Sequence, residues 1–338
     1  MDRPKIVTVK TPAKVNLYLD VLSKRPDGYH NIDTVMAAID WWDELTIERS
    51  NQRGVRVDCQ WSDPVRRADE LQCEVDDDRL RLPQDGSNLV GRVLRRWSDR
   101  LGLSYGLDVR LRKRIPAGAG LGGGSSNAAG ALRAAAVMES IPQADMILGE
   151  IAAAEGSDLN FFLPKDEANI CEGIPHVRRA SGRGTELEEL DEFDADALSL
   201  LRERWLVVAF PPVVISTAAA YGALIVDASD LERRRNAANS FCNELSHHPV
   251  GNWPSKMFNR MESAVRGMAA PIDSLCGIMI ESRSDGSLMT GSGSAVFAIF
   301  GSSSSAMTLC DDLQSRGGVV AVKARFCGLD GCISEFVS

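Results

Sequence analysis

Between residues 107 and 112 the chain alternates apolar Leu107, Val109 and Leu111 with polar Asp108, Arg110 and Arg112. Successive side chains on a strand point to opposite faces, so this spacing predicts a strand with one buried and one wetted face. Residues 4–48 predict further strands from β-branched runs such as IVTV and VNLYLDVL, interrupted by the turn signal RPDG at 25–28. Residues 43–47 form another strand in this reading. The apolar spacing of NLVGRVLRRWSDRL at 88–101 is that of an amphipathic helix, and helices are also expected over 125–138 and 146–155. The stretch from about 50 to 85 is polar and reads as irregular.

Further on, an acidic, Leu-rich segment at 185–201 precedes an apolar strand, WLVVAF at 205–210. A second glycine-rich turn, within MTGSGSAVFAIFG at 289–301, leads into another hydrophobic strand. The N-terminal strands follow one another like hairpins, without long crossovers. That favours mixed or antiparallel sheets with helices on one face, an α+β fold. A chain of 338 residues exceeds the size at which one small core suffices, so two domains are expected, 1–199 and 200–338.

The formal charge of −9 narrows the partners. Nucleic acid and anionic membranes are bound nonspecifically through excess Lys and Arg, which this chain lacks; neither is an expected partner. The eight cysteines are scattered without C-x-x-C pairs, and the nearest pair, Cys327 and Cys332, has no accompanying histidine, so no metal site is expected. Reduced thiols, charges near Met1 and an early strand pattern are read as a cytoplasmic protein without a targeting segment. Residues 205–226 are uncharged and long enough to span a bilayer, but Pro211 and Pro212 break them midway. A buried strand, a turn and a short helix capped at Ser216 or Thr217 fit better.

The stretch IPAGAGLGGGSSNAAGAL, residues 115–132, carries no charge and six glycines. Gly118, Gly120 and Gly123 fit the G-x-G-x-x-G spacing of dinucleotide folds, but the strand before them carries charges at every second position, unlike the continuously apolar first strand of those folds. A Walker A loop requires Lys-Ser or Lys-Thr after the glycines, and none follows. Two readings stay open on the residues alone. One is a helix start packed tightly against a sheet; the other is a phosphate cradle of freed backbone N–H groups, Ser125 and Ser126 hydroxyls and a helix N-terminus.

Three segments decide between them. PAKVNLYL at 12–19, PAGAGLGGGSS at 116–126 and MTGSGSAVF at 289–297 resemble, in order and spacing, the three motifs of the GHMP kinase superfamily. Within it, RPDGYHNIDTVM at 25–36, GSNLVGRVL at 86–94, GSDLNFFL at 156–163 and STAAAY at 216–221 resemble the 4-diphosphocytidyl-2-C-methyl-D-erythritol kinases. The resemblance covers most of the chain. It implies an N-terminal domain like ribosomal protein S5 domain 2, an α/β-plait C-terminal domain and an active site between them. The implied activity is ATP-dependent phosphorylation, with Mg²⁺, of the 2-hydroxyl of a diphosphocytidyl alcohol in isoprenoid precursor synthesis. The chain departs from the pattern at Asn160, where proline is usual, and at Arg260, where aspartate is usual.

Carried over residue by residue, the resemblance makes Lys14 and Asp158 catalytic. Pro116, Ala117, Gly118, Ala119, Gly120, Leu121, Gly122, Gly123, Gly124, Ser125 and Ser126 become the ATP loop. Asn16, Tyr29, His30, Thr217 and Tyr221 become the substrate site, with two aromatic rings sandwiching the cytosine and His30 bonding its edge. Without the resemblance, Asp158 reads equally as a cap and Lys14 as a solvated strand lysine. His176, His247 and His248 match no motif and are taken as structural. A monomer or weak homodimer, binding only ATP and the small cytidyl substrate, completes the expectation.

Overall fold

The computed structural model describes residues 4–62, 87–165, 174–188, 195–226, 230–329 and 333–336. Cys73, Cys171, Cys332 and most of the expected irregular segment lie outside them. Two long strands, β1 (Ile6–Lys24) and β2 (His30–Ser50), form a hairpin around the RPDG turn. The strand expected at 43–47 is the end of β2. Its partner β4 (Gly106–Lys113) buries Leu107, Val109 and Leu111, as their alternation predicts. One strand escaped the sequence reading: β3 (Val55–Trp61) pairs parallel with β4 inside the stretch expected to be irregular. Its alternation of Val55, Val57 and Cys59 with Arg56, Asp58 and Gln60 is short and surrounded by polar residues.

The first sheet runs β12–β1–β2–β4–β3, with β12 at Ile333–Phe336. β5 (Val177–Gly182) pairs with β2, β6 (Glu186–Glu188) with β5, and the two-residue β8 (Phe258–Asn259) with β1. Helices α1 (Leu89–Leu101) and α2 (Gly123–Met138) pack on it, and α3 (Met146–Glu155) packs against both helices. The Asn88 side chain caps α1 by accepting from the Val90 N–H at 3.0 Å. The small residues of α2 permit a close approach: a Cβ added at Gly130 would stand 2.3 Å from Thr11 Cγ2.

The second sheet, β11–β7–β10–β9, is antiparallel throughout and follows Leu200: β7 (Trp205–Phe210), β9 (Gly286–Met289), β10 (Val296–Phe300) and β11 (Val320–Arg325). Around it lie α4 (Ala195–Leu200), α5 (Thr217–Gly222), α6 (Leu231–His247), α7 (Glu262–Arg266), α8 (Ala270–Glu281) and α9 (Ser303–Arg316). β7 and β10 are apolar without alternation because both faces are covered. Val207 and Ala209 meet α8 and α9, while Leu206, Val208 and Phe210 share a core with Val15, Leu17 and Phe241. Since β8 and β12 join the first sheet, the two halves of the chain are interleaved rather than merely abutted. No helix among the described residues is long and apolar enough to cross a membrane; residues 205–210 are strand.

Candidate active site

Three loops meet above β1. Lys14 and Asn16, two residues apart, project from the same face of the strand and are almost fully buried. The Lys14 N–H donates to Leu121 O at 2.9 Å, tying β1 to the glycine loop. The Ala295 N–H donates to Ala119 O at 3.1 Å, tying the turn before β10 to the same loop. Asn16 N–H donates to Thr290 Oγ1 at 3.0 Å, and Asn16 Nδ2 to Thr34 Oγ1 at 2.8 Å. The three segments separated by more than a hundred residues in sequence therefore form one hydrogen-bonded unit.

Lys14 Nζ donates to Asn16 Oδ1 at 2.6 Å and stands 3.7 Å from Asp158 Oδ2. Burial pulls the Lys14 ammonium below its ordinary pKa, and the Asp158 carboxylate partly restores it. Asp158 is about one-third exposed, and the 3₁₀ turn Asn160–Phe162 that follows has Leu159 at its start, with no side-chain cap. That turn is anchored by buried Phe161 and Phe162 and by His176, whose Nε2 donates to Phe161 O. Burial pushes His176 down to about 3, so its ring is neutral, in keeping with a structural role.

Gly118, Gly120 and Gly122 all adopt left-handed φ, from +68° to +79°, which curls the loop into the start of α2. Gly122 leaves the N-terminus of α2 without a side-chain cap. A Cβ there would meet Lys14 Cγ at 2.9 Å; at Gly124 it would meet nothing within 4 Å. The helix thus presents uncapped N–H groups, with its positive end, to open space. Residues 116–125 line a cleft of about 1200 Å³ together with Lys14, Asn16 and Asp158. Ser126 lies inside the helix instead, its Oγ buried and unpartnered.

A network missed in the sequence fixes where this loop begins. Asp43, wholly buried, accepts N–H bonds from Arg114 at 2.6 Å and Ile115 at 2.9 Å, and bonds from Asn127 Nδ2 and Lys113 Nζ. Lys113 Nζ also donates to Asn127 Oδ1 at 2.8 Å. In the sequence Asp43 reads as an ordinary strand residue. Asn259, equally missed, donates to Met289 O at 2.7 Å and Gly291 O at 2.9 Å, pinning the third motif.

Aromatic rings line the same cleft. Tyr221, on α5, stacks on His30 with ring centroids 4.6 Å apart and planes 18° from parallel. Burial, reinforced by Asp158, pushes the Tyr221 hydroxyl up to about 12. His30 is held below its usual value by burial and by Lys24. Thr217 Oγ1 lies 3.3 Å from Ser292 Oγ, bridging α5 to the third motif. Tyr29, expected opposite Tyr221 across a base, lines the same cleft; its ring is exposed, with the Arg183 guanidinium 3.7 Å above it. The two departures from the motif pattern fall outside the cleft. Arg260 donates to Asp20 Oδ1 at 2.9 Å beside Arg234, and Asn160 lines a separate depression with Met146 and Lys165.

A cleft joining an uncapped, glycine-led helix N-terminus to a buried lysine–carboxylate pair, on this two-sheet fold, defines a kinase of the GHMP type. Residues 88–160 match the family model described as GHMP kinases N terminal domain. The chain is 35% identical over 93% of both lengths to a 4-diphosphocytidyl-2-C-methyl-D-erythritol kinase of Rhodopirellula baltica, and 31% identical to that of Citrifermentans bemidjiense over 95% of this chain and 99% of the relative. It belongs to the 4-diphosphocytidyl-2-C-methyl-D-erythritol kinase family. A crystal structure of a 4-(cytidine 5'-diphospho)-2C-methyl-D-erythritol kinase superposes over 94% of this chain and 99% of that one, with a TM-score of 0.66 and 25% identity. Homoserine kinase from Cytophaga hutchinsonii, at 18% identity, covers 98% of each chain with a TM-score of 0.65 and shares the fold.

Proposed function

We propose that this chain transfers the γ-phosphoryl group of ATP to the 2-hydroxyl of 4-diphosphocytidyl-2-C-methyl-D-erythritol. The observation that carries the proposal is the placement of Lys14 and Asp158 in one cleft between the uncapped start of α2 and the Tyr221–His30 stack. Residues 116–125, which line the cleft, hold the nucleotide phosphates. Phosphoryl transfer has a loose transition state, so positioning and charge neutralisation supply most of the catalysis. Asp158 orients the attacking hydroxyl and accepts its proton as the oxygen–phosphorus bond forms and the bond to the ADP leaving oxygen breaks. Lys14 keeps Asp158 ionised and offsets charge on the group in transfer.

Among the described residues no three His, Cys, Asp or Glu side chains gather into a metal cage. Mg²⁺ bound with the nucleotide would supply further charge neutralisation, and Asp158, in the cleft with the glycine loop, is the carboxylate that would share it. Asn16 bonds the substrate, and Thr217, His30, Tyr29 and Tyr221 form its cytidyl end. Residues 1–199 thus bring the nucleotide loop and carboxylate, and residues 200–338 bring Thr217 and Tyr221. A cytoplasmic monomer or weak homodimer belongs to the same proposal.

The test is coupled ADP release from ATP and Mg²⁺ with a panel of alcohols. ADP is expected with the diphosphocytidyl alcohol. Equal turnover of mevalonate or homoserine overturns the substrate assignment.

A further inference from the structure

The cations lining the cleft divide into two groups. Lys14 faces Asp158 at 3.7 Å, and Lys113 is bonded to buried Asp43. Lys24 and Arg183 also line the cleft, yet neither has a carboxylate within ion-pair distance among the described residues. Asp27 is near enough for Arg183 to help depress its pKa, but its ion pair is with Arg25, at 3.1 Å. Two cations in a cleft of a chain charged −9, with no carboxylate paired to either among the described residues, are placed to receive an anion.

Their position says which part of a ligand they meet. Lys24 sits opposite His30 in the β1–β2 register and is close enough to depress that ring's pKa. Arg183 occupies the β5–β6 turn, with its guanidinium flat on Tyr29, 3.7 Å from the ring centroid. The next residue, Gly184, backs onto the catalytic loop: a Cβ built there would lie 3.7 Å from Ser157 Cβ, beside Asp158. The turn therefore spans from the aromatic end of the cleft to the carboxylate end. A ligand with its base at one end and its reacting hydroxyl at the other must pass its linker between them.

The geometry points to Arg183 and Lys24 as the cation pair that binds the diphosphate linker of the substrate, with Tyr29 serving as a platform that holds the guanidinium in place. This rests on the cytidyl-kinase reading above and adds the residues that select a nucleoside diphosphate ester over an uncharged nucleoside. A planar guanidinium stacked on a ring loses little further freedom when it bonds phosphate oxygens, and it presents donors in the fork that such oxygens accept. Lys24 adds a point charge from the facing strand.

The test titrates the full-length protein with cytidine and with CDP, for wild type, Arg183→Gln and Lys24→Gln. Wild type binds CDP more tightly than cytidine, and each variant loses roughly tenfold in CDP affinity while its cytidine affinity holds. The KM for the diphosphocytidyl alcohol rises by more than kcat falls. Melting temperature and affinity for an ATP analogue report whether each variant is folded; Lys24→Gln, on a different strand, decides the matter should Arg183→Gln lose its fold. Equal losses for cytidine and CDP in Arg183→Gln would mean that it merely buttresses Tyr29, and the proposal fails. It fails equally if wild type binds the two ligands alike. If neither binds, the cytidyl assignment itself has failed, and a phosphate-free alcohol turned over by the enzyme would identify that outcome.

Discussion

Lys14 and Asp158 face each other across the cleft with Nζ and Oδ2 3.7 Å apart, while the same ammonium gives a shorter bond of 2.6 Å to Asn16. The carboxylate is thus neutralised without being tightly clamped, and one of its oxygens can take a substrate hydroxyl. Replacing Asp158 by Asn keeps the shape and removes the charge. The expected result is a kcat lower by ~10²–10⁴, with ATP affinity nearly unchanged. A variant with almost full kcat would rule out a central role for this group.

The pH dependence tests the lysine. Its folded pKa lies below 10.5 because burial disfavours the ammonium. As pH rises through that lowered value Lys14 loses its proton, so the alkaline limb of the kcat profile should fall below the ordinary lysine range. Lys14→Arg, which stays protonated, should be slower but should lack that limb. Stability responds in the opposite sense. Between the lowered value and 10.5 the unfolded chain holds a proton that the folded chain has released, so Lys14 makes folding more favourable with rising pH in that window. A limb that survives in Lys14→Arg belongs to another group.

Two glycines in one loop should respond differently. At Gly122 the backbone is left-handed and a Cβ meets the Lys14 side chain at 2.9 Å, so Gly122→Ala should cost about 1–2 kcal/mol in backbone strain and lower kcat by displacing Lys14. Gly124 is helical and faces open space, so alanine there should hold or raise the melting temperature by up to about 1 kcal/mol of helix propensity. If that space receives phosphate, Gly124→Ala must nevertheless weaken binding of an ATP analogue. Calorimetric titration beside thermal melts separates the effects, and unchanged affinity in Gly124→Ala would refute the cradle.

Much of this was legible in the sequence, for physical reasons. Alternation at 107–112 and the Pro-Pro break after Phe210 follow from local geometry that reads directly off residue order. The two glycine-rich motifs were legible because glycine spacing marks backbone conformations that few other residues adopt, whereas PAKVNLYL, which has no glycine, stood out only by its resemblance to the family's first motif. What was not legible depended on long-range partners. β3 is too short and too polar to stand out, and Asp43 is indistinguishable from a surface strand residue until Lys113 and Asn127 are folded onto it. The aromatic end was legible in composition but not in arrangement, since nothing in the order Tyr29-His30 says which ring meets Tyr221.

Asp43 supplies a stability prediction. It is fully buried and accepts from two backbone N–H groups at the start of the glycine loop, from Asn127 and from Lys113. Asp43→Ala strands the buried Lys113 charge and frees those donors, which should cost about 3–5 kcal/mol. Urea unfolding measures it. Adding Lys113→Met should recover part of the loss, because the uncompensated charge is then gone; a double variant no more stable than Asp43→Ala would place the cost in the backbone bonds instead.

Tyr221 offers the sharpest test of the aromatic end, because its ring meets His30 from the other half of the chain at 4.6 Å. A stack uses the π-face, and no hydrogen bond from the Tyr221 hydroxyl accompanies it among the described residues, so Tyr221→Phe should bind cytidine ligands like wild type. Tyr221→Ala removes the face and should cost ~1–3 kcal/mol, the range for base–aromatic stacking, or roughly five- to a hundredfold in Kd. The remote base also helps to place the reacting hydroxyl, so kcat should fall along with affinity. The ligand dependence separates this residue from Arg183. A ring that meets the base must weaken cytidine and CDP by the same factor, whereas a guanidinium that meets the linker must weaken CDP alone. Titrating both ligands into Tyr221→Ala therefore checks the direction in which substrate lies along the cleft: a loss confined to CDP would put the diphosphate at Tyr221 and the base elsewhere, and a loss confined to an ATP analogue would make this the nucleotide end.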